Sequence, residues 1–480
     1  MSYHPAIGDI REQRVRVAII AALLVAALTL IGLNVQFTSL PSERWYRLSR
    51  QQAMEADLLY RLGDALERLA GSVTLPLKNG AEMLTERAVA LWERRTLSGH
   101  PTSATAWRLG VIYGHRGYGE QAADMLSLAA SLDEADSAFY HALAEVYSRH
   151  ELDAARLRAH AARIGEHEGW LVEIALADCY RRLGDEAAAA EVASRQHTRA
   201  MRFLLSFAAI ALTGGLLVVT GVVTLVVLAL RRGLSLPRAE APLPFLVPWT
   251  LIDIAEAVAV LIFAMVAGGV LLPPTVGTGA GAPGEREVQA LIFAAQYLLV
   301  ATATVGLIVY RVRRRSSRPL RVLGMRFRGM ARLVAIGVAG YAVFVTLLMA
   351  LTAALSSLLG PGGLPLAQTT EEIVGAARSP GEVALYLVLV GMIAPIVEET
   401  IFRGYVYGGL RRFLSPRRAI IAGGVVFAAA HLNAESFLMV GLIGAMLCYL
   451  YERTRSLVPG MVAHGLHNGL VLVVMLMQSM

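Results

Sequence analysis

Three short stretches near the end of the chain hold polar side chains inside apolar sequence. "APIVEETIFRG", residues 394–404, contains Glu398, Glu399 and Arg403. "VVFAAAHL" sets Phe427 and His431 four residues apart, and "VAHGLHNGL" does the same for His464 and Asn468. A charge near a bilayer centre costs roughly 2.5–3.5 kcal/mol on insertion scales, so it marks a functional position. The residue types suit hydrolysis. A carboxylate beside an imidazole can activate water, and imidazole and amide donors on one face can hold an oxyanion.

Spacing separates the two acids. Glu399 and Arg403 share a helix face, with the acid N-terminal to the base, which favours an ion pair. Glu398 lies about 100° round the helix from Glu399, so the arginine can neutralise one acid and leave the other free. Pro395 has no N–H to offer the carbonyl of Gly391, which predicts a local kink. Depth brings the groups together. Glu398 is 13 residues from Arg411, and His431 is 13 residues from Arg418. At ~1.5 Å per residue both lie about 20 Å from those arginines. His464 and Asn468 are 9 and 13 residues from Arg455, or roughly 14–20 Å. His467 lies on a neighbouring face and its role is open. A buried polar network that only holds helices together is the alternative.

The elements that carry these residues read as membrane spans. Of the 480 residues, 56% are hydrophobic and 17% charged, below the ~25% charged of soluble domains. Apolar runs of spanning length fall near 16–37, 203–230, 247–272, 288–310, 331–357, 382–410, 419–433, 436–451 and 457–478, the seventh and eighth being short. Eight arginines crowd 311–328, and further arginines follow the second, sixth and eighth spans. Such clusters mark cytoplasmic loops. The pattern places the N-terminus in the cytoplasm, 38–202 outside it and 311–330 inside. The net charge of +7 is therefore a matter of topology, not of nucleic-acid binding. Residues 16–37 read as an uncleaved anchor, since no convincing cleavage site follows. Lys78 is the only lysine, an arginine bias that points to a bacterial source and so to the bacterial inner membrane. Asp253, Glu256 and Glu382 lie near helix ends and read as structural. Cys179 and Cys448, one in the soluble part and one in a span, cannot make a disulfide framework.

The soluble stretch repeats with a period near 34. Leu109, Gly110 and Tyr113 correspond to Leu143, Ala144 and Tyr147, and then to Leu176, Ala177 and Tyr180. This is similar to the tetratricopeptide pattern. Residues 48–96 read as two amphipathic helices capping the stack, and the five histidines from His115 to His167 read as surface residues. The alternative is a generic alanine-rich bundle. The expected fold is all-α: a polytopic membrane helix bundle with an inserted soluble, tetratricopeptide-like helical repeat domain. The expected divisions are a tail and first span (1–37), the soluble helical region (38–202, with the repeats in about 100–200), spans two to four (203–310), the arginine-rich loop (311–330) and the polar core (331–480). The repeats are expected to bind a protein partner that the sequence does not identify.

The three stretches together resemble the CPBP family of intramembrane peptidases, which includes CAAX prenyl endopeptidases and the bacterial Abi or bacteriocin-processing proteins. The family pattern is EExxxR, then FxxxH, then HxxxN on successive membrane helices. Here it reads Glu398-Glu399 to Arg403, Phe427 to His431, and His464 to Asn468. Each motif alone is weak, and the ordered set is specific. The resemblance covers roughly 330–480. It implies an all-helical membrane core that cleaves peptide bonds of a membrane-associated peptide or protein. Glu398 is then the expected base, His431 holds the same water, and His464 with Asn468 forms the oxyanion site. Glu399 and Arg403 are expected to be mainly structural.

Two questions stay open at this level. Glu398, His431 and His464 could instead bind a catalytic zinc, although there is no HExxH helix and asparagine is a poor zinc ligand. The metal-free reading, with no cofactor, is the one expected. A non-catalytic scaffold that binds partners through its repeats is the competing class. A transporter is disfavoured, because the two halves hold no matching pair of broken helices.

Overall fold

A computed structural model describes residues 41–70, 75–97, 101–148, 150–230, 247–271, 283–359, 380–431 and 436–479. The expected span 16–37 lies outside them. The described residues contain no strand, and the fold is all-α. The chain divides into two compact units, Ser39–Ala209 and a unit that runs from Ile210 to Ser479.

The first unit holds α1 (Pro41–Ala70), α2 (Leu75–Leu97), α3 (Ser103–His115), α4 (Gly119–Leu132), α5 (Ser137–Tyr147), α6 (Ala154–Gly165), α7 (Trp170–Leu183) and the first part of α8 (Glu186–Leu230). Small residues set the spacing. A side chain at Gly110 would collide with Leu126 of α4, and one at Gly114 would collide with the Tyr147 ring of α5. Asp178 ties three helices together, accepting from the Tyr147 hydroxyl at 3.0 Å and pairing with His115 of α3 and Arg181 of α7. Not all the histidines are plain surface residues. His160 pairs with Glu145 at 2.6 Å, and His167 stacks on Phe139.

The second unit holds the rest of α8, then α9 (Leu251–Leu271), α10 (Pro283–Arg313), α12 (Met330–Leu359), α14 (Pro416–Ala430), α15 (Phe437–Thr454) and α16 (Val458–Ser479), with α11 the short turn Pro319–Val322. Between α12 and α14 lies α13, a run of helical segments from Pro380 to Phe413. Five described helices are long and apolar enough to cross a membrane: Glu186–Leu230, Leu291–Arg313, Met330–Ala354, Gly381–Phe413 and Phe437–Thr454. This is a multi-pass membrane protein. The expected span at 419–433 is shorter as a helix. It covers Pro416–Ala430, about 22 Å at 1.5 Å per residue, against a hydrocarbon core of ~30 Å. It pairs instead with α15 in a tight hairpin.

Two features hold α13 in place. Trp249 stacks on Tyr405 and donates to its carbonyl at 3.0 Å. Glu452 of α15 receives Tyr407 at 2.8 Å and Arg411 at 2.9 Å. Nearby, Glu256 pairs with Arg311 and joins α9 to α10, and Asp253 pairs with Arg315, just past the end of α10. Along α13 the backbone is not a simple kinked helix. Leu389–Ile393 is a π-helical turn, just ahead of Pro395. The widened turn takes up the carbonyl register that proline cannot complete. A second π-helical stretch covers Glu399–Tyr407.

Candidate active site

The most buried part of the site is an ion pair. Arg403 donates to Glu399 Oε1 at 2.8 Å, and both side chains are fully buried. A lone buried charge is unstable, so each requires the other. Arg403 also donates to the Gly444 carbonyl of α15 at 3.2 Å, and its guanidinium lies 4.3 Å from the Phe427 ring centroid. That ring is the spacer of the site. It meets the imidazoles of His431 and His464 edge-on, at 4.6 Å and 5.7 Å between centroids.

His464 comes in from α16 between the two acids. Its Nδ1 lies 3.2 Å from Glu399 Oε1, and its Nε2 lies 3.8 Å from Glu398 Oε2. A carboxylate can only accept, so Nδ1 carries the proton and Nε2 is turned to Glu398. Gly460 permits this approach, because any side chain there would run into the Glu399 carboxylate.

Glu398 has a different environment. Its Oε2 has no hydrogen-bond partner among the described residues. The side chain lines a cavity of about 250 Å³ whose walls are mostly apolar, from Leu261, Phe293, Val300, Val397, Ile401 and Phe402. His431 lines the same cavity. It stands at the C-terminal end of α14, with Nδ1 2.8 Å from the Phe427 carbonyl of its own last turn. A carbonyl only accepts, so Nδ1 is the N–H and Nε2 presents a lone pair.

Two residues depart from the sequence reading. Asn468 was expected beside His464 as an oxyanion donor. Its amide instead donates to the Val390 carbonyl at 2.9 Å, within the first π turn, and it does not line the cavity. Like Asn468, His464 is not a wall of that cavity. His467 turns away to α12, where Nδ1 lies 3.3 Å from the Tyr341 hydroxyl. The structure thus brings Glu399, Arg403 and His464 into one cluster, with Glu398 at its edge and His431 facing Glu398 across the cavity. Among the described residues no three His, Cys, Asp or Glu side chains converge to hold a metal ion.

Sequence reasoning missed Tyr297 and Gln296, which line the cavity from α10. The signal was available, since "AAQYLL" interrupts an otherwise apolar span.

Residues 380–470 match the family described as type II CAAX prenyl endopeptidase, Rce1-like. The chain is also 26% identical over 145 residues to the membrane-embedded CAAX protease MroQ of Staphylococcus aureus (strain USA300), covering 29% of this chain and 56% of that protein. It is 28% identical over 94 residues to YdiL of Bacillus subtilis (strain 168), named provisionally as a membrane peptidase, covering 20% and 38%. The chain spans about half the length of these curated relatives, or less. No solved structure matches. The C-terminal part of this chain is therefore similar to Rce1-like CAAX proteases over residues 380–470. All six residues singled out by the sequence fall within the matched segment, whereas Tyr297 lies before it.

Proposed function

We propose that the chain is an intramembrane endopeptidase that hydrolyses peptide bonds close to the membrane. One observation carries the reading. Of two adjacent glutamates, Glu399 is bound to Arg403, while Glu398 has a carboxylate oxygen with no hydrogen-bond partner among the described residues and lines an apolar cavity shared with His431.

A water in that cavity donates one proton toward Glu398 Oε2 and the other toward His431 Nε2, since both are acceptors. Its lone pair is then free to attack a peptide carbonyl. As the new C–O bond forms, Glu398 takes a proton. It returns that proton to the leaving nitrogen, the C–N bond breaks, and the products are a carboxylic acid and an amine. This is general base and then general acid catalysis by one group. His464 sits behind Glu398, held by Glu399. The apolar walls favour apolar sequence around the scissile bond. The name of the Staphylococcus relative points to CAAX-type substrates, and nothing in the cavity walls demands a prenyl group.

The mechanism proposed here uses no metal. Metal analysis of active enzyme tests that choice. Stoichiometric zinc, with activity lost to a chelator and restored by zinc, would replace this mechanism. We further propose that the helical unit at 41–209, read as tetratricopeptide-like, recruits or orients a partner outside the cytoplasm of a bacterial cell. Reporter fusions near residues 120 and 320 should then give opposite signals.

The decisive experiment is Glu398→Gln in the purified full chain. Cleavage of an internally quenched apolar peptide pool should be abolished with the melting temperature unchanged. Retained cleavage would remove the assignment and favour a scaffold.

A further inference from the structure

Hydrolysis of a peptide bond needs a donor for the carbonyl oxygen as it becomes negative. The groups expected from the motifs do not supply one inside the cavity. Glu398 can only accept. The N–H of His431 is held by the Phe427 carbonyl, which leaves an acceptor nitrogen facing the cavity. Asn468 gives one of its two amide N–H groups to Val390 and does not line the cavity, and His464 Nδ1 is turned to Glu399. Gln296 lines the wall but is not free.

Tyr297 differs from all of these. Its hydroxyl oxygen is buried, and Glu398, the proposed base, is the group it is set against. Both residues line the same cavity. Buried tyrosine hydroxyls ordinarily find a partner, and the one at hand here is the carboxylate that must take up the attacking water. A phenol O–H beside the base is then free to turn to the carbonyl oxygen of an arriving peptide.

We propose that Tyr297 is the oxyanion donor of this enzyme. Its O–H hydrogen-bonds the carbonyl oxygen of the scissile peptide and holds that oxygen more strongly in the tetrahedral intermediate. No proton is transferred from it. The inference rests on the peptidase reading above and extends it. The catalytic set would then span α10 as well as the matched segment 380–470, so the matched segment alone is not a complete enzyme.

The test uses the purified full chain in detergent micelles with the same internally quenched apolar peptide pool. Tyr297→Phe keeps the ring and removes the donor. The expected result is a loss in kcat of about 100–1000-fold, with KM changed by less than about threefold and an unaltered melting temperature. A kcat within about threefold of wild type overturns the proposal. So does a loss accompanied by a lower melting temperature or a raised KM, which would mark a packing role. If Tyr297→Phe does not fold, 3-fluorotyrosine at position 297 replaces it. Its more acidic phenol should move the alkaline limb of the kcat–pH profile to lower pH, and an unmoved limb overturns the proposal. Glu398→Gln, measured in parallel, separates the two failures. If it is inactive while Tyr297→Phe is fully active, only the tyrosine assignment falls. If Glu398→Gln still cleaves, or wild type cuts nothing in the pool, the peptidase reading falls and takes this inference with it.

Discussion

Adjacent glutamates in one helix end up with different roles because of what surrounds each. Glu399 is fully buried and touches Arg403 and His464, whereas Glu398 faces a cavity. Arg403 contacts Glu399, the Gly444 carbonyl and the Phe427 ring, so it joins three helices. Removing it leaves a buried carboxylate uncompensated. Arg403→Met should therefore cost about 3–5 kcal/mol of stability, read as a lower melting temperature in detergent, with activity lost in parallel. Normal stability with a purely catalytic defect would contradict this role. Asn468 makes a separate case. Asn468→Ala leaves the Val390 carbonyl without its donor, which should cost about 1–3 kcal/mol. If stability is instead untouched while kcat falls about 100–1000-fold, the oxyanion role expected from the motif is restored.

At the scale of elements, the site depends on helices that approach closely. α14 and α15 meet at Gly424, where a methyl group would lie 2.7 Å from the Gly441 carbonyl oxygen and 3.1 Å from the Ala445 nitrogen. Backbone cannot yield as a side-chain tip can. Gly424→Ala should thus separate the hairpin at a cost of about 1–3 kcal/mol, typical of overpacking. Because α14 ends at His431, the shift moves that imidazole relative to Glu398. Cleavage should fall at least ~10-fold, since small misplacements of a catalytic group are expensive. Unchanged melting and cleavage together would show that the hairpin can open without affecting the site. The π-helical segments of α13 belong to this scale too. The first makes room for Pro395 and offers its Val390 carbonyl to Asn468.

For the molecule as a whole, the two units answer to different forces, and pH should separate them. Burial pushes the Glu173 carboxyl of α7 up from its ordinary 4.5, and Arg199 only partly opposes this. A group whose folded value lies above its unfolded one favours the fold below the unfolded value. That contribution is lost as pH rises through the folded value. At neutral pH the ionised Glu173 therefore weakens the unit 41–209. Glu173→Gln should raise the melting temperature of the full chain at pH 7 and leave it near wild type at pH 4. A lower value at pH 7 would mean that the Arg199 pair outweighs burial.

Much of this organisation was legible in the sequence, because it is local. Apolar length and period set the all-α, multi-pass fold. The pairing of Glu399 with Arg403 follows from a four-residue spacing, and so does the nearness of Phe427 to His431. The sequence by itself also determined which segment resembles a peptidase, since three motifs recur in order whatever the packing. Other features depended on how distant helices meet. That Asn468 binds Val390, 78 residues away, depends on the seating of α16 against α13. That His464 reaches both acids depends on Gly460 having no side chain. That Tyr297 faces Glu398 depends on α10 standing against α13. Helical period tells which residues share a face. Only tertiary packing decides what that face meets, because register and rotation between helices are set by side-chain fit and not by either helix alone.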